Sequence, residues 1–323
     1  MKKLSRREFL GKAFNAGIAL TTVELLFSTF SKTVFAQSKK KLPPFPPPSP
    51  GKNLKTPDIA VVVSNDPEKN TRKAVELLGG MKKFVKQGDV VVVKPNIGWD
   101  RKPEFGANTN PVVVATLVKL AYEAGAKKVK VFDRSCDNAR RCYASSGIEK
   151  AARDAGAEVK FIEDSTNYVD TVINGVSLKN WPVSKDILEC DCFINVPVAK
   201  QHGSSKFTLS MKNLMGVLGG NRGSFHVGNL HRWIADLAAT IKPKLVVIDA
   251  MRVLFKSGPT GGNLEDVWQK NTIIASPNPV SADSYACSLF NRKGENIDHI
   301  KFAYEMGLGE MDISKLKVHE INL

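Results

Sequence analysis

Apolar residues fall in two alternating patterns along this chain. Short strand-like runs fall at Ile59–Val63, Lys128–Phe132, Glu158–Ile162, Cys192–Val196 and Thr272–Ala275, and the runs Asp89–Val93 and Leu245–Ile248 show no polar alternation. That pattern predicts strands buried on both faces. Between them lie stretches with helical spacing: Asp66–Leu78, Pro111–Ala124, Ser146–Ala155, Leu230–Ile241, Val280–Phe290 and Ile297–Met306. Asp66 or Thr71 caps the first and Gly79-Gly80 stops it. The second has proline in its first turn and Gly125 at its stop. Val318–Ile321 reads as a closing edge strand, and Asn167–Glu189 loosens into short strands and turns. Strands alternating with helices of this length predict an α/β fold. We expect a largely parallel sheet with flanking helices in Rossmann-like layers, with a small β-rich insertion, and no internal repeat.

In such sheets ligands bind beyond the carboxyl ends of the strands. Four strand ends carry polar groups: Lys94 and Asn96; Asp133 and Arg134; Asn195, Lys200 and His202; Asp249 and Arg252. Aspartate and asparagine at such positions often cap the next helix. A lysine cannot, so Lys94 and Lys200 are the stronger pointers to a site. The densest stretch is Asp191–His226. It joins the Cys192 strand to Lys200 and His202, then to a segment of helical character (Met211–Leu218) carrying Lys212 and Asn213. A glycine-rich loop with Gly219, Gly220 and Gly223 follows, ending at His226.

Composition leaves this picture intact: 42% hydrophobic and 24% charged residues suit a globular domain with a sizeable core. The ends change it. Arg6 and Arg7, followed by Phe9, Leu10 and Lys12, an apolar run from Ala13 to Phe30, and Val-Phe-Ala before Gln37 form a Tat-type export signal over residues 1–36. Asn15 and Glu24 interrupt the apolar run, which is weaker than a spanning helix requires. The expected partner in export is the Tat translocase, with an extracytoplasmic or periplasmic destination. Membrane tethering follows only if the leader stays uncleaved. Residues 37–57, with six prolines between Pro43 and Pro50, read as an extended linker. The domain is then 58–323. The formal charge is +15, of which the leader carries +4, leaving +11. That surplus favours anionic partners. The basic residues form no aromatic-interleaved stripe, so nucleic acid is not expected.

Several segments together resemble the DUF362 family. They are Val-Val-Val-Val-Lys-Pro-Asn ending at Asn96, Ala-Asn-Thr-Asn-Pro before the Pro111 helix, and Asn-Val-Pro-Val-Ala-Lys-Gln-His-Gly ending at Gly203. Ser-Met-Lys-Asn-Leu-Met-Gly ending at Gly216, Leu-Val-Val-Ile-Asp-Ala, Gly-Pro-Thr-Gly-Gly and Ser-Pro-Asn-Pro-Val-Ser-Ala-Asp follow in the expected order. The resemblance spans about residues 57–292. It implies a Lys-x-His pair at Lys200 and His202 but no assigned activity. Many members of that family carry a ferredoxin-like iron–sulfur module. This chain has no Cys-x-x-Cys-x-x-Cys run, so no iron–sulfur cluster is expected.

Two constellations carry candidate chemistry. Lys94, Lys200, Lys212 and Arg222, with Asn96, Asn213 and the glycines Gly219, Gly220, Gly261 and Gly262, suit a phosphate- or carboxylate-bearing ligand. Neither glycine loop is a phosphate-loop or Rossmann fingerprint, so neither ATP nor NAD is implied. His202 suits acid–base work beside Lys200. His226, Asp249 and Asp283 are candidates for a divalent metal, although no spacing matches a local zinc motif. His231 is not expected to be a ligand, and His299 and His319 read as surface residues. Cys136 and Cys142 are placed for a local disulfide in an oxidising compartment. Cys190 and Cys192 flank a strand start, and Cys287 reads as core. Three functions fit these features: an exported enzyme on a small anionic substrate with Lys200 and His202 as its catalytic groups, a non-catalytic solute- or cofactor-binding protein, or a redox or maturation partner of an exported metalloenzyme.

Overall fold

The structure, a computed structural model, describes residues 56–162 and 165–323. The leader and all but the last two residues of the linker lie outside the described residues. Strand β1 (Ile59–Val63) leads into helix α1 (Pro67–Leu77), whose first turn is capped by the Asp66 carboxylate accepting from the backbone N–H groups of Glu68 and Lys69. Then come β2 (Val90–Pro95), α2 (Pro111–Glu123, capped by Asn110), β3 (Lys128–Val131), α3 (Ala139–Ser145), α4 (Ile148–Asp154) and β4 (Glu158–Val159). A separate two-stranded hairpin, β5 (Tyr168–Val172) and β6 (Asn180–Ser184), is the β-rich insertion. It runs into α5 (Lys185–Glu189).

The second half holds β7 (Cys192–Val196), β8 (Val198–His202), β9 (Lys206–Thr208) and a single helical turn, α6 (Ser210–Asn213). After α7 (Leu230–Thr240) come two ten-residue strands, β10 (Leu245–Leu254) and β11 (Val267–Ser276). Helices α8 (Pro279–Ala286) and α9 (Asp298–Glu305) and the edge strand β12 (Val318–Asn322) close the chain.

The main sheet runs β12-β1-β11-β10-β7-β2-β3-β4. Along that path every pairing is parallel except those of β11, which is antiparallel to both neighbours. Successive strand residues feed two cores. On one face Val91, Val93, Ile194 and Val247 pack with Val75 of α1, Leu117 of α2 and Ile148 of α4. On the other, Val92, Phe193, Val246 and Ile248 pack with Ile234 of α7, Val280 of α8 and Ile300 of α9. Helices on both faces explain why these strands carry no polar alternation.

Some boundaries differ from the sequence reading. The expected Ser146–Ala155 helix is two helices, separated at Ser146-Gly147, where Gly147 has a φ of 70°. Helix α3 was missed because Asn138 starts it inside a stretch that reads as polar loop. That helix turns Cys142 into the core, while Cys136 stays exposed, and both thiols are free. The expected disulfide is therefore absent. His299 is fully buried rather than on the surface, with its Nδ1 3.1 Å from Nδ1 of His231. Among the described residues no helix is long and apolar enough to cross a membrane.

Candidate functional site

Beyond the carboxyl ends of β2, β3 and β7 the chain departs from regular layering. Pro197 interrupts β7, and the chain resumes as β8, which pairs with the distal half of β10 and folds back as β9. That hairpin, the α6 turn and the segments after β2 and β3 enclose a cavity of about 410 Å³. Its lining includes Asn96, Trp99, Asp133, Lys200, His202, Lys212, Asn213, Arg222 and His226.

The floor is built from adjacent strand positions. Lys94 and Asn195 are register partners on β2 and β7. Asn213, on the turn above, joins them: its Oδ1 accepts from Lys94 Nζ at 3.0 Å, and its Nδ2 donates to Asn195 Oδ1 at 2.8 Å. Lys94 is fully buried beneath the cavity and does not line it. Its ammonium lies 2.8 Å from Asp133 Oδ1 and donates also to the Pro95 carbonyl at 2.8 Å. Burial pulls the Lys94 ammonium below its ordinary pKa, and Asp133 opposes that shift. Gly216 makes the pair sterically feasible. A Cβ there would sit 1.9 Å from Asp133 Oδ1 and 2.6 Å from Lys94 Nζ.

Lys200 is 1% exposed and borders the cavity. Its Nζ donates to Asn96 Oδ1 at 3.1 Å and to the Ala107 carbonyl at 2.5 Å. Burial, reinforced by the ammonium groups of Lys212 and Lys94, draws its pKa down to about 7. Lys212 is also nearly buried and lines the cavity, yet no hydrogen-bond acceptor or ion-pair partner is found for its ammonium among the described residues. Burial, with Arg222 and Lys94 nearby, brings its pKa to about 8.

His202 Nδ1 accepts from the backbone N–H groups of Ser204 (3.2 Å) and Ser205 (3.3 Å). These bonds assign the ring proton to Nε2. Burial first, then the charge of Lys212, lowers its pKa to about 3, so it is neutral at physiological pH. The His226 ring stacks on it at 5.5 Å and 7°. Two guanidinium groups frame the entrance. Arg222 donates to the carbonyls of Arg134 (2.6 Å) and Ser135 (2.9 Å), and Arg134 to those of Leu218 and Gly220 (both 2.9 Å).

The other residues read from sequence lie elsewhere. Asp249 accepts from the backbone of Asn110 (2.7 Å) and Met251 (3.0 Å), and burial raises its pKa to about 6. Asp283 accepts from Ser210 N (2.7 Å) and Met211 N (2.9 Å), and burial raises its pKa to about 7. Asp283 thereby pins the turn that presents Lys212 and Asn213. Neither carboxylate lines the cavity with His226, and among the described residues no three His, Cys, Asp or Glu side chains gather as a metal site. Gly219 packs against the Tyr168 ring, where a Cβ would come within 2.6 Å. Gly220 contributes its carbonyl to Arg134. Gly261 does not line the cavity, and Gly262 borders a different hollow beside Asp100–Phe105. Trp99, Thr208, Met215 and Pro259 also line the site. Thr208 and Met215 fall in the Asp191–His226 stretch and Pro259 in the Gly-Pro-Thr-Gly-Gly loop, whereas Trp99 carried no sequence signal.

Layered α/β architecture with a cationic cavity at the strand ends defines the class: an α/β protein with a ligand site in the position such sheets favour. Within that class the family can be stated. Residues 91–288 match the model of the family described as Domain of unknown function (DUF362), and the chain belongs to it. A thylakoid-associated protein of Synechocystis is 27% identical over 219 residues, 66% of each chain, so this chain spans just under two thirds of that relative. Among solved structures, the lactate racemase apoprotein from Thermoanaerobacterium thermosaccharolyticum overlaps with a TM-score of 0.46 at 14% identity. The overlap covers 71% of this chain and 56% of that one.

Proposed function

We propose that this is an exported protein whose cavity binds a small phosphate- or carboxylate-bearing ligand, and that it is an enzyme moving a proton on that ligand through Lys200. One observation carries the reading: Lys212, 9% exposed, lines the cavity, and no acceptor is found for its ammonium among the described residues. An isolated buried cation is costly and is normally paired. An anionic ligand supplies the missing partner.

Around that anchor the roles follow from protonation. Lys200, titrating near 7, exists in both forms at physiological pH and can accept or return a proton. His202 is a neutral donor through Nε2–H, because its other nitrogen already accepts from two backbone groups. It suits hydrogen bonding to a ligand oxygen more than abstracting a proton. A metal is not needed to hold an anion among these lysines. The twin-arginine leader supports export, and an uncleaved leader would tether the protein to a membrane. Association with thylakoids belongs to the Synechocystis relative's name alone.

The test is titration calorimetry with orthophosphate and small carboxylates, alongside mass spectrometry of whatever co-purifies from the exported compartment. Binding that weakens in Lys200→Ala and His202→Ala supports the proposal. Unchanged binding and turnover in both variants sinks it. A tight ligand recovered chemically unchanged would make this a binding protein rather than an enzyme.

A further inference from the structure

The three lysines at this site differ in how many acceptors hold them. Lys94 Nζ has three neighbours: Asp133, the Pro95 carbonyl and Asn213. Two of these are hydrogen bonds and the third, to Asp133, is an ion pair, so its charge is already partnered. For Lys212 no acceptor is found, which leaves it to the ligand. Lys200 has two, Asn96 Oδ1 and the Ala107 carbonyl. A neutral amine has two N–H bonds and one lone pair. Both N–H groups have acceptors, no donor to the lone pair is found among the described residues, and Lys200 lines the cavity. A desolvated lysine beside other cations is an activated nucleophile.

We propose that Lys200 is a covalent amine, condensing with the carbonyl group of a small anionic aldehyde or ketone held by Lys212. This rests on the reading of the cavity as an anion site and goes further, naming both the substrate class and the step. The Lys200 lone pair attacks the carbonyl carbon, and the C=O π pair moves to oxygen. One nitrogen proton passes to that oxygen, giving a carbinolamine. A further proton, from the Lys212 ammonium, lets the hydroxyl leave as water, and the nitrogen lone pair forms the C=N bond. The sum is amine plus carbonyl plus one proton, giving iminium plus water, with no change in oxidation state. His202 Nε2–H is a donor available to the oxygen during attack. Among the described residues Asp133 is the single carboxylate lining the cavity, and it is held by Lys94 and by the backbone N–H of Ile97 at 2.7 Å. The site therefore has no free carboxylate base to compete with Lys200 for protons. The low pKa of Lys200 agrees with this role and is equally compatible with simple proton transfer, so the experiment must trap the bond itself.

The full chain is incubated with glyoxylate, glycolaldehyde phosphate or acetaldehyde, treated with borohydride, and examined by intact mass and peptide mapping. The expected result is one reduced adduct on Lys200. It should form about tenfold more with either anionic aldehyde than with acetaldehyde, the preference one charge-assisted contact supplies. Orthophosphate should suppress it. A difference between the two anionic probes reports whether carboxylate or phosphate is preferred. Lys200→Arg, which keeps the charge but forms no imine, should lose the adduct while its circular dichroism spectrum stays that of the wild type. Should that variant fold poorly, orthophosphate protection of the wild-type residue decides the same point. Adducts spread over surface lysines, or persisting in Lys200→Arg, overturn the proposal. Orthophosphate binding without any adduct overturns the covalent step and leaves the anion site standing. Absence of both removes the anion site as well.

Discussion

Replacing Lys212 with methionine should make the protein more stable and less able to bind its ligand. Methionine is close in length to lysine and fills irregular space readily, so the change removes the charge with little loss of packing. The magnitude follows from the cavity wall. Burial moves the Lys212 pKa from its ordinary 10.5 to about 8. At about 1.4 kcal/mol per pKa unit, holding the ammonium there costs on the order of 3 kcal/mol at pH 7. The sign is set by the direction of the shift. Below about pH 8 the group is charged in both folded and unfolded chains and the whole penalty is present. Between pH 8 and 10.5 the folded protein loses its proton first and the penalty fades. Urea unfolding of ligand-free protein should therefore place Lys212→Met above wild type by up to that amount at pH 7, with the gap closing by about pH 10.5. Orthophosphate should reverse the order, because only the wild type gains stability by mass action. A charge-assisted hydrogen bond contributes about 1.5–3 kcal/mol, so calorimetric affinity should fall about 10- to 150-fold in the variant. Wild-type affinity should itself weaken about tenfold from pH 7 to pH 9 as the ammonium titrates. A Lys212→Met protein that is less stable than wild type at pH 7, or that binds orthophosphate equally well, refutes the reasoning.

Three other outcomes follow. Gly216→Ala places a methyl group against both members of the Lys94–Asp133 pair. It should cost about 3 kcal/mol in chemical denaturation, whereas an alanine at Gly203, where nothing lies within 4 Å and φ is not left-handed, should cost far less. His299 is buried with its pKa lowered to about 3, burial being the main cause. Its contribution is fully present above pH 6.5 and is lost as the pH falls towards 3, so His299→Phe should flatten the acid side of the stability curve by several kcal/mol. Arg6→Lys with Arg7→Lys should leave the precursor inside the cell when fractions are probed by immunoblot. Normal export of that double variant would exclude the Tat route.

How far the sequence reveals this molecule depends on the kind of signal. Strands buried on both faces are legible because nothing polar interrupts Val90–Val93 or Leu245–Ile248, and Asp66 and Asn110 act as caps. What was hidden depends on tertiary pairing. Strand β8 contains Lys200 and His202 yet is not set apart from the Cys192 strand in the sequence, because its ordering comes from pairing with the far end of β10. The extension of β11 to Val267 has the same origin. At the site, lysine and asparagine at strand ends were sound pointers, since Lys94, Asn96 and Asn195 all hydrogen-bond to Asn213. Aspartates were poor ones. Asp249 is occupied partly by the N–H of Asn110, 139 residues away, and Asp283 by that of Ser210, 73 residues away. Glycines misled for a related reason: Gly219 makes room for Tyr168 of the hairpin, a contact no local pattern encodes.

The two guanidinium groups at the entrance have one further consequence. Arg134 and Arg222 direct their donors at carbonyl oxygens, which satisfies their hydrogen bonds without cancelling their charge. Both side chains line the cavity, so their charge adds to the potential there. Such a field draws anions toward the cavity before any contact forms and shows itself in the association rate. Encounter should accelerate as ionic strength falls. Capture and retention would then be separable properties of this site, the first belonging to the arginines and the second to the lysines.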